Sequence, residues 1–224
     1  MNLLAIETST SYCSAALITE TQQLEVKASS TKSQASLLTQ MSDEILREAG
    51  LSKHEIDCVA FGSGPGSFNG VRAAASFAHA VSIANKVPIM AISTLKALAF
   101  GSISPTTKHV LSIIDARQNE VYFSAYSVEG SNISSILQKE HNLAKPEEIF
   151  IPKGTGWVVA ICNGDNFESK LPPQIRNMTH STVTEPTALS IGKLAQITRK
   201  ENIHHTLSNA MPLYLRHPVK NETG

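Results

Sequence analysis

Cysteine is scarce in this 224-residue chain: Cys13, Cys58 and Cys162 are an odd set, far apart, with no C-x-x-C pair. That excludes a disulfide framework and a zinc knuckle. Cys58 in "IDCVAF" and Cys162 in "VVAIC" fall in strand-like runs, where a thiol reads as a small, inert, buried hydrophobe. A surplus of either charge is also missing, since Lys plus Arg and Asp plus Glu number 19 each. Without a basic block, the chain lacks the footprint of a protein that grips nucleic acid unaided. No apolar run approaches the roughly 18 residues of a membrane span. The opening "MNLLAIETST" has no basic region and meets Glu7 too early for a signal peptide. The expectation is a cytosolic globular chain, long enough to bury about 70% of its unfolded surface without staples.

Histidines are present without useful spacing. His54, His79, His109, His141, His180, His204, His205 and His217 include no pair three or four residues apart. A helix therefore cannot present two of them on one face as an H-x-x-x-H metal clamp. No cofactor or metal is expected.

What is present is a repeated α/β pattern. "NLLAIE" is an apolar run ending in a carboxylate, followed by the polar turn "TSTSY" and two alternating runs, "CSAALIT" and "QLEVKAS". They predict a three-stranded meander. A helix follows over 34–49, with Gly50 as its stop. "DCVAF" is a strand, the glycine-rich turn comes next, and a helix spans 70–86. "VPIMAIS" and "TLKALAFG" add a strand and a helix. From residue 109, "HVLSIIDARQNEVYFSAYS" repeats the opening, with Asp115 in the place of Glu7. "WVVAIC" then reads as a strand, and "PTALSIGKLAQITRK" as a helix completing a second lobe. The Ser, Thr and Pro of "GSISPTTK" mark the boundary. The expected organisation is a first lobe over 1–103, a second over 104–218, and a flexible tail over 219–224. The stretch "MPLYLRHP" should dock through Leu213, Tyr214 and Leu215.

The turn "FGSGPGSFNGVR" concentrates Gly62, Gly64, Gly66 and Gly70 ahead of a helix. It lacks the lysine of a P-loop, because Val71 and Arg72 follow Gly70. Asn69 stands where a dinucleotide fingerprint needs its third glycine, and neither Ser63 nor Ser67 has the glycine spacing of a nucleophile elbow. Two readings remain: a tight reversal with Asn69 as helix N-cap, or an anion contact at the start of that helix. Glu7 and Asp115 each end an apolar run ahead of a polar turn.

These segments resemble the TsaB family of bacterial tRNA threonylcarbamoyladenosine biosynthesis proteins. The resemblance runs through "LLAIETSTSYCSAAL", "FGSGPGSFNGVR", "AISTLKALA", "SIIDARQNEVYFSAY", "GTGW" and "PLYLR", spanning nearly the whole chain in family order. It implies a duplicated, two-lobed actin-like ATPase (ASKHA, ribonuclease H-like) α/β fold. In actin-like kinases, acids at these strand ends position Mg²⁺ and water, so Glu7 and Asp115 read either in that role or as carboxylates bonded to their own turns. The first phosphate turn of those enzymes uses glycine, and "ETSTSYC" contains none, which favours the second. Three positions depart from the family pattern: Glu7 stands for the usual Asp, Asn69 for Thr, and Gln34 for a common His. The resemblance also implies a paralogue that kept the fold and lost catalysis. Such a chain would support a TsaD-type subunit that modifies adenosine 37 of tRNA, with a TsaE-type ATPase as third partner. tRNA would be met only through that complex. The rival reading is a stand-alone phosphotransferase or metallopeptidase-type hydrolase.

Without chemistry, surfaces should carry the function. On helix 34–49, Ala35, Leu37, Leu38, Met41, Ile45, Leu46 and Ala49 cover about 180° of the wheel, more than one sheet needs. Leu37 and Met41 are therefore assigned to a second contact. On helix 70–86, Ala73, Ala74, Phe77, Ala78, Ala80, Val81 and Ala84 are expected to face the core. Arg72, Ser76, His79, Ser82 and Lys86 form a polar stripe containing Ala75 and Ile83. The expected partner face comprises Leu37, Met41, Glu48, Arg72, Ala75, His79 and Ile83. The resemblance implies that these two helices pair with themselves, as a homodimer, or with the TsaD-type subunit.

Overall fold

The computed structural model describes residues 1–29, 34–200, 207, 208 and 210–216. Strands β1 (Leu3–Glu7), β2 (Tyr12–Ile18) and β3 (Gln23–Ser29) form the predicted meander. β4 (Cys58–Gly62) adds parallel to β1, and β5 (Ile89–Ile92) parallel to β4. The first sheet therefore runs β3-β2-β1-β4-β5. Every residue of β1 and β4 is buried, as expected for central strands covered on both faces.

The second sheet repeats this plan. β6 (His109–Arg117) and β7 (Glu120–Glu129) form a hairpin extended by β8 (Asn132–Ser135). β9 (Asn142–Ala144) also pairs with β7, while β10 (Trp157–Cys162) and β11 (Thr179–His180) continue parallel to β6. The order is β11-β10-β6-β7-β8.

Helices α1 (Gln34–Glu48) and α2 (Phe68–Asn85) cover one face of the first sheet. α1 ends as anticipated. Gly50 takes a left-handed φ of 69°, and the N–H groups of Gly50 and Leu51 reach back to Arg47 and Leu46 carbonyls. α2 begins two residues earlier than expected, and its N-cap is Ser67 rather than Asn69. The Ser67 hydroxyl accepts the Gly70 N–H at 3.4 Å, which places Asn69 inside the first turn.

The remaining long helices are exchanged between lobes. α3 (Thr94–Gly101), from the first repeat, packs on β6 and β7. The short α4 (Pro173–Arg176) precedes β11, and α5 (Ala188–Lys200) packs on β1, β2 and β4. The expectation that the last helix completes the second lobe is corrected by this packing. Leu3, Ala5 and Ala60 share one apolar cluster with Leu95, Leu98, Ile191, Leu194 and Tyr126. Side chains of the first sheet also receive the start of α5. Ser14 Oγ accepts from Ala188 N at 2.9 Å, and the Glu25 carboxylate from Leu189 N at 2.8 Å. A carboxylate at a helix N-terminus is favoured by the dipole and satisfies an otherwise orphan donor.

Candidate functional site

The glycine-rich turn is filled by the chain's own atoms. A Cβ on Gly62 would sit 1.9 Å from Glu7 Oε2, one on Gly66 2.4 Å from the Ser9 carbonyl, and one on Gly70 2.0 Å from the Thr8 carbonyl. The glycines thus admit the β1–β2 turn, residues Glu7 to Ser9, into close contact with the end of β4 and the start of α2. The polar groups close the same contact. Ser67 N–H donates to Ser9 O at 2.7 Å, and Thr8 Oγ1 donates to Gly70 O at 2.7 Å. Ser63 N–H is bonded to Ile92 O, and Gly64 N–H to Thr94 Oγ1. Gln34, the departure from histidine, donates to Thr8 O and ties α1 to the same turn.

Glu7 is sealed beneath this contact at 1% exposure. Its Oε1 accepts Ser9 N–H at 2.6 Å, and its Oε2 accepts from Thr94 Oγ1 at 3.2 Å. Burial raises its pKa above the usual carboxylate range, opposed by the hydrogen bonds of Ser9, Thr94 and Thr8. Asp115 takes the same kind of local partners. Its Oδ1 accepts Arg117 N–H at 2.8 Å and its Oδ2 accepts from Asn166 at 3.2 Å. Both acids therefore bond to their own turns and neighbours. Only Asp115 lines an open surface. Among the described residues, no group of three His, Cys, Asp or Glu side chains could hold a metal ion, and no helix is long and apolar enough to cross a membrane.

That surface is a cleft of about 1040 Å³ between the two hairpin turns. Ser9, Thr10 and Ser11 form one side and Ile114 to Gln118 the other. Ser67, Phe68 and Arg72 of α2 add a third, and Leu213 to Arg216 a fourth. The last group belongs to a C-terminal strap. Leu207 O lies 3.2 Å from His79 Nε2, Ala210 is fully buried, and Leu213 N–H donates to Ser63 O at 2.7 Å. Gly64, at φ 97°, leaves room for the Leu213 carbonyl, which would lie 3.1 Å from a Cβ there. Tyr214 OH accepts from Arg72 Nε at 3.1 Å, and Arg216 pairs with Glu120 across the lobes. "PLYLR" was legible as a docking segment. That it bridges both lobes was not, because its receptors are distant in sequence.

The outward face of α2 differs from the wheel prediction. Val71, Ala74, Ala75, Ala78 and Ser82 are buried, whereas Ser76, Ala80, Ile83 and Ala84 are exposed. An alanine-rich helix has too little hydrophobic contrast to set its own orientation. Ser82 is accommodated inside because its hydroxyl donates to Val87 O at 2.6 Å. Of the expected partner face, Ile83 is 61% exposed, Glu48 is exposed and Leu37 is half-buried. Met41 and Ala75 lie inside the first-lobe core, at 3% and 5% exposure. Arg72 and His79 are engaged by the strap, and Arg72 also stacks 3.9 Å over the Phe68 ring.

Two meander-led sheets with exchanged helices and a central cleft define a two-lobed, actin-like α/β protein. The family model of TsaD, tRNA N6-adenosine threonylcarbamoyltransferase, matches residues 27–214. The tRNA threonylcarbamoyladenosine biosynthesis protein TsaB of Haemophilus influenzae is 32% identical across 98% of this chain and 95% of its own length. TsaB of Escherichia coli is 30% identical across 70% and 72%. The solved structure of YeaZ from Pseudomonas aeruginosa superposes with a TM-score of 0.86 at 29% identity, covering 96% of this chain and 99% of that one. The chain belongs to the TsaB family, whose role is in tRNA threonylcarbamoyladenosine biosynthesis.

Proposed function

We propose that this chain is a non-catalytic scaffold subunit of that biosynthesis, docking and stabilising a TsaD-type catalytic subunit. The observation that carries the reading is the occupied glycine turn. The β1–β2 turn is packed against the glycines, and Glu7 is sealed below it at 1% exposure. A glycine-rich phosphate cradle needs its glycine backbone open to the ligand. α1 and α2 supply the docking face. Ser76, Ala80 and Ala84 make a small-residue surface along α2, with Ile83 exposed beside it and Leu37 on α1 half-buried. Small side chains let a partner helix approach closely, and an exposed Ile adds apolar area for burial. The same face would serve a second copy when the chain is alone. A TsaE-type ATPase is the further partner, and tRNA is reached through the assembly.

Reconstitution of tRNA modification with and without this chain tests the role. Modification should depend on the chain, while the chain alone should neither turn over ATP·Mg²⁺ nor bind it tightly by calorimetry. Turnover by the isolated chain would replace the scaffold reading with the phosphotransferase. Ile83→Glu should weaken self-association and capture of the catalytic subunit without unfolding the monomer. Unchanged elution volume and unchanged capture would refute this face.

A further inference from the structure

The interlobe cleft takes no part in the docking just proposed, yet its lining is chemically specific. Three arginines, Arg72, Arg117 and Arg216, face it against one carboxylate, Asp115. Arg216 is spent on Glu120, and both Asp115 oxygens are spent on Arg117 N–H and Asn166. Among the described residues, no carboxylate lies within ion-pair distance of the Arg72 or Arg117 guanidinium. Arg117 is exposed at the tip of the β6–β7 hairpin, where it, Gln118 and Asn119 hold φ of 63°, 55° and 60°. Three successive non-glycine residues in the left-handed region are strained, and such strain concentrates at sites where a side chain must be aimed.

On the cleft's lining, the Ser9 and Ser67 N–H groups are already bonded, to Glu7 Oε1 and to the Ser9 carbonyl. Two guanidinium groups stand beside partly apolar walls contributed by Ile114, Tyr122, Leu213 and Leu215: Arg117, and Arg72, whose Nε already donates to Tyr214 OH. Planar forks suit carboxylates in bidentate geometry, and apolar walls suit a side chain between them. One wall is already an extended peptide, the strap, held by a backbone bond from Leu213 to Ser63.

We propose that this cleft binds an acidic segment of a partner protein, an extended peptide whose carboxylates flank an aromatic or branched apolar side chain. The test is a random peptide display library selected on the immobilised full chain. One enriched peptide is then synthesised with a fluorophore and titrated by anisotropy. Enriched peptides should carry two or more acidic residues beside an apolar one, and affinity should fall with added salt. Arg117→Glu should weaken binding by at least about tenfold and Arg72→Ala by about threefold or more. Lys53→Glu, the same charge change beyond the far end of α2, should leave affinity unchanged. Ile83→Glu should also leave it unchanged, which separates this site from the helix-face reading. Arg117→Ala, with circular dichroism on each variant, controls for misfolding. The proposal is overturned by selection without acidic bias, or by equal affinity for the parent and both Arg117 variants. Displacement of the peptide by AMP or ATP would also overturn it and assign the cleft to a phosphate ligand.

Discussion

The Glu7 carboxylate rests against the α-carbon of Gly62, so closely that a Cβ there would fall 1.9 Å from Oε2. The contact joins the end of β1 to the end of β4. Gly62→Ala should destabilise the fold by about 1–3 kcal/mol, because the carboxylate is held by Ser9 and Thr94 and must be displaced. Glu7→Asp withdraws the carboxylate by one methylene. In that background the alanine should cost measurably less, as a double-mutant cycle in urea would show. Additive effects would mean that the steric conflict lies elsewhere.

Glu7 also makes stability depend on pH. Burial raises its folded pKa, so the folded state holds the proton more tightly than the unfolded chain. Its contribution is then fully present at acid pH and is lost as pH rises from the ordinary carboxylate range through the folded pKa. Glu7→Gln removes that loss, since an amide keeps an acceptor for Ser9 N–H. Denaturation curves at several pH values should be flatter for this variant on the acid-to-neutral side.

His141 has the opposite sign. Its Nε2 lies 2.8 Å from Ser93 Oγ, linking the β8–β9 loop to the N-cap of α3, and burial lowers its pKa against the opposing charge of Glu140. A histidine with a depressed folded pKa contributes stability at pH above its ordinary range, lost as pH falls toward the folded pKa. His141→Gln should reduce the acid loss of stability, separable from the Glu7 effect by the double variant. A slope unchanged in the single variant would remove His141 from the account.

Ala80→Arg probes the proposed helix contact by bulk rather than charge alone. Ala80 is exposed, and Arg is nearly as good a helix former as Ala. The monomer should therefore change by no more than about 0.5 kcal/mol. Association should be lost, because a long side chain props a partner helix away. Sedimentation velocity across a concentration series reads this directly. By contrast, Met41, assigned from the wheel to a second contact, lies at 3% exposure, so Met41→Glu should unfold the core before it tests any interface.

Arg216→Ala should loosen the strap from the second lobe. Its guanidinium bonds Glu120 and the Arg117 carbonyl. Hydrogen exchange at the Leu213 amide should quicken, while the sheet amides of β1 and β4 stay protected. An unchanged Leu213 amide would show that the first-lobe contacts at Ser63, Arg72 and His79 hold the strap without Arg216.

Much of the fold was legible because strands and helices announce themselves locally. The two meanders appear as alternating runs ending in Glu7 and Asp115, and the stop at Gly50 is written in one residue. Ser67 was missed as N-cap because Asn69 is equally competent chemically, and only the approach of Ser9 and Gly70 decides between them. The face of α2 was misjudged because alanine is compatible with either side. Arg72 and His79 were expected on the partner face, but the strap, more than 120 positions away, is laid across them.

The sequence by itself determined the elements, the duplicated order and the failure of every phosphate signature, since these rest on spacing and composition within short windows. Tertiary structure alone decided what the four glycines are for. Their missing side chains make room for Glu7, Thr8, Ser9 and the strap, and that room is defined by backbone atoms distant in the chain. It also decided the exchange of α3 and α5. An apolar helix face carries no label for the sheet it will cover, and burial is satisfied wherever the best-matched surface lies.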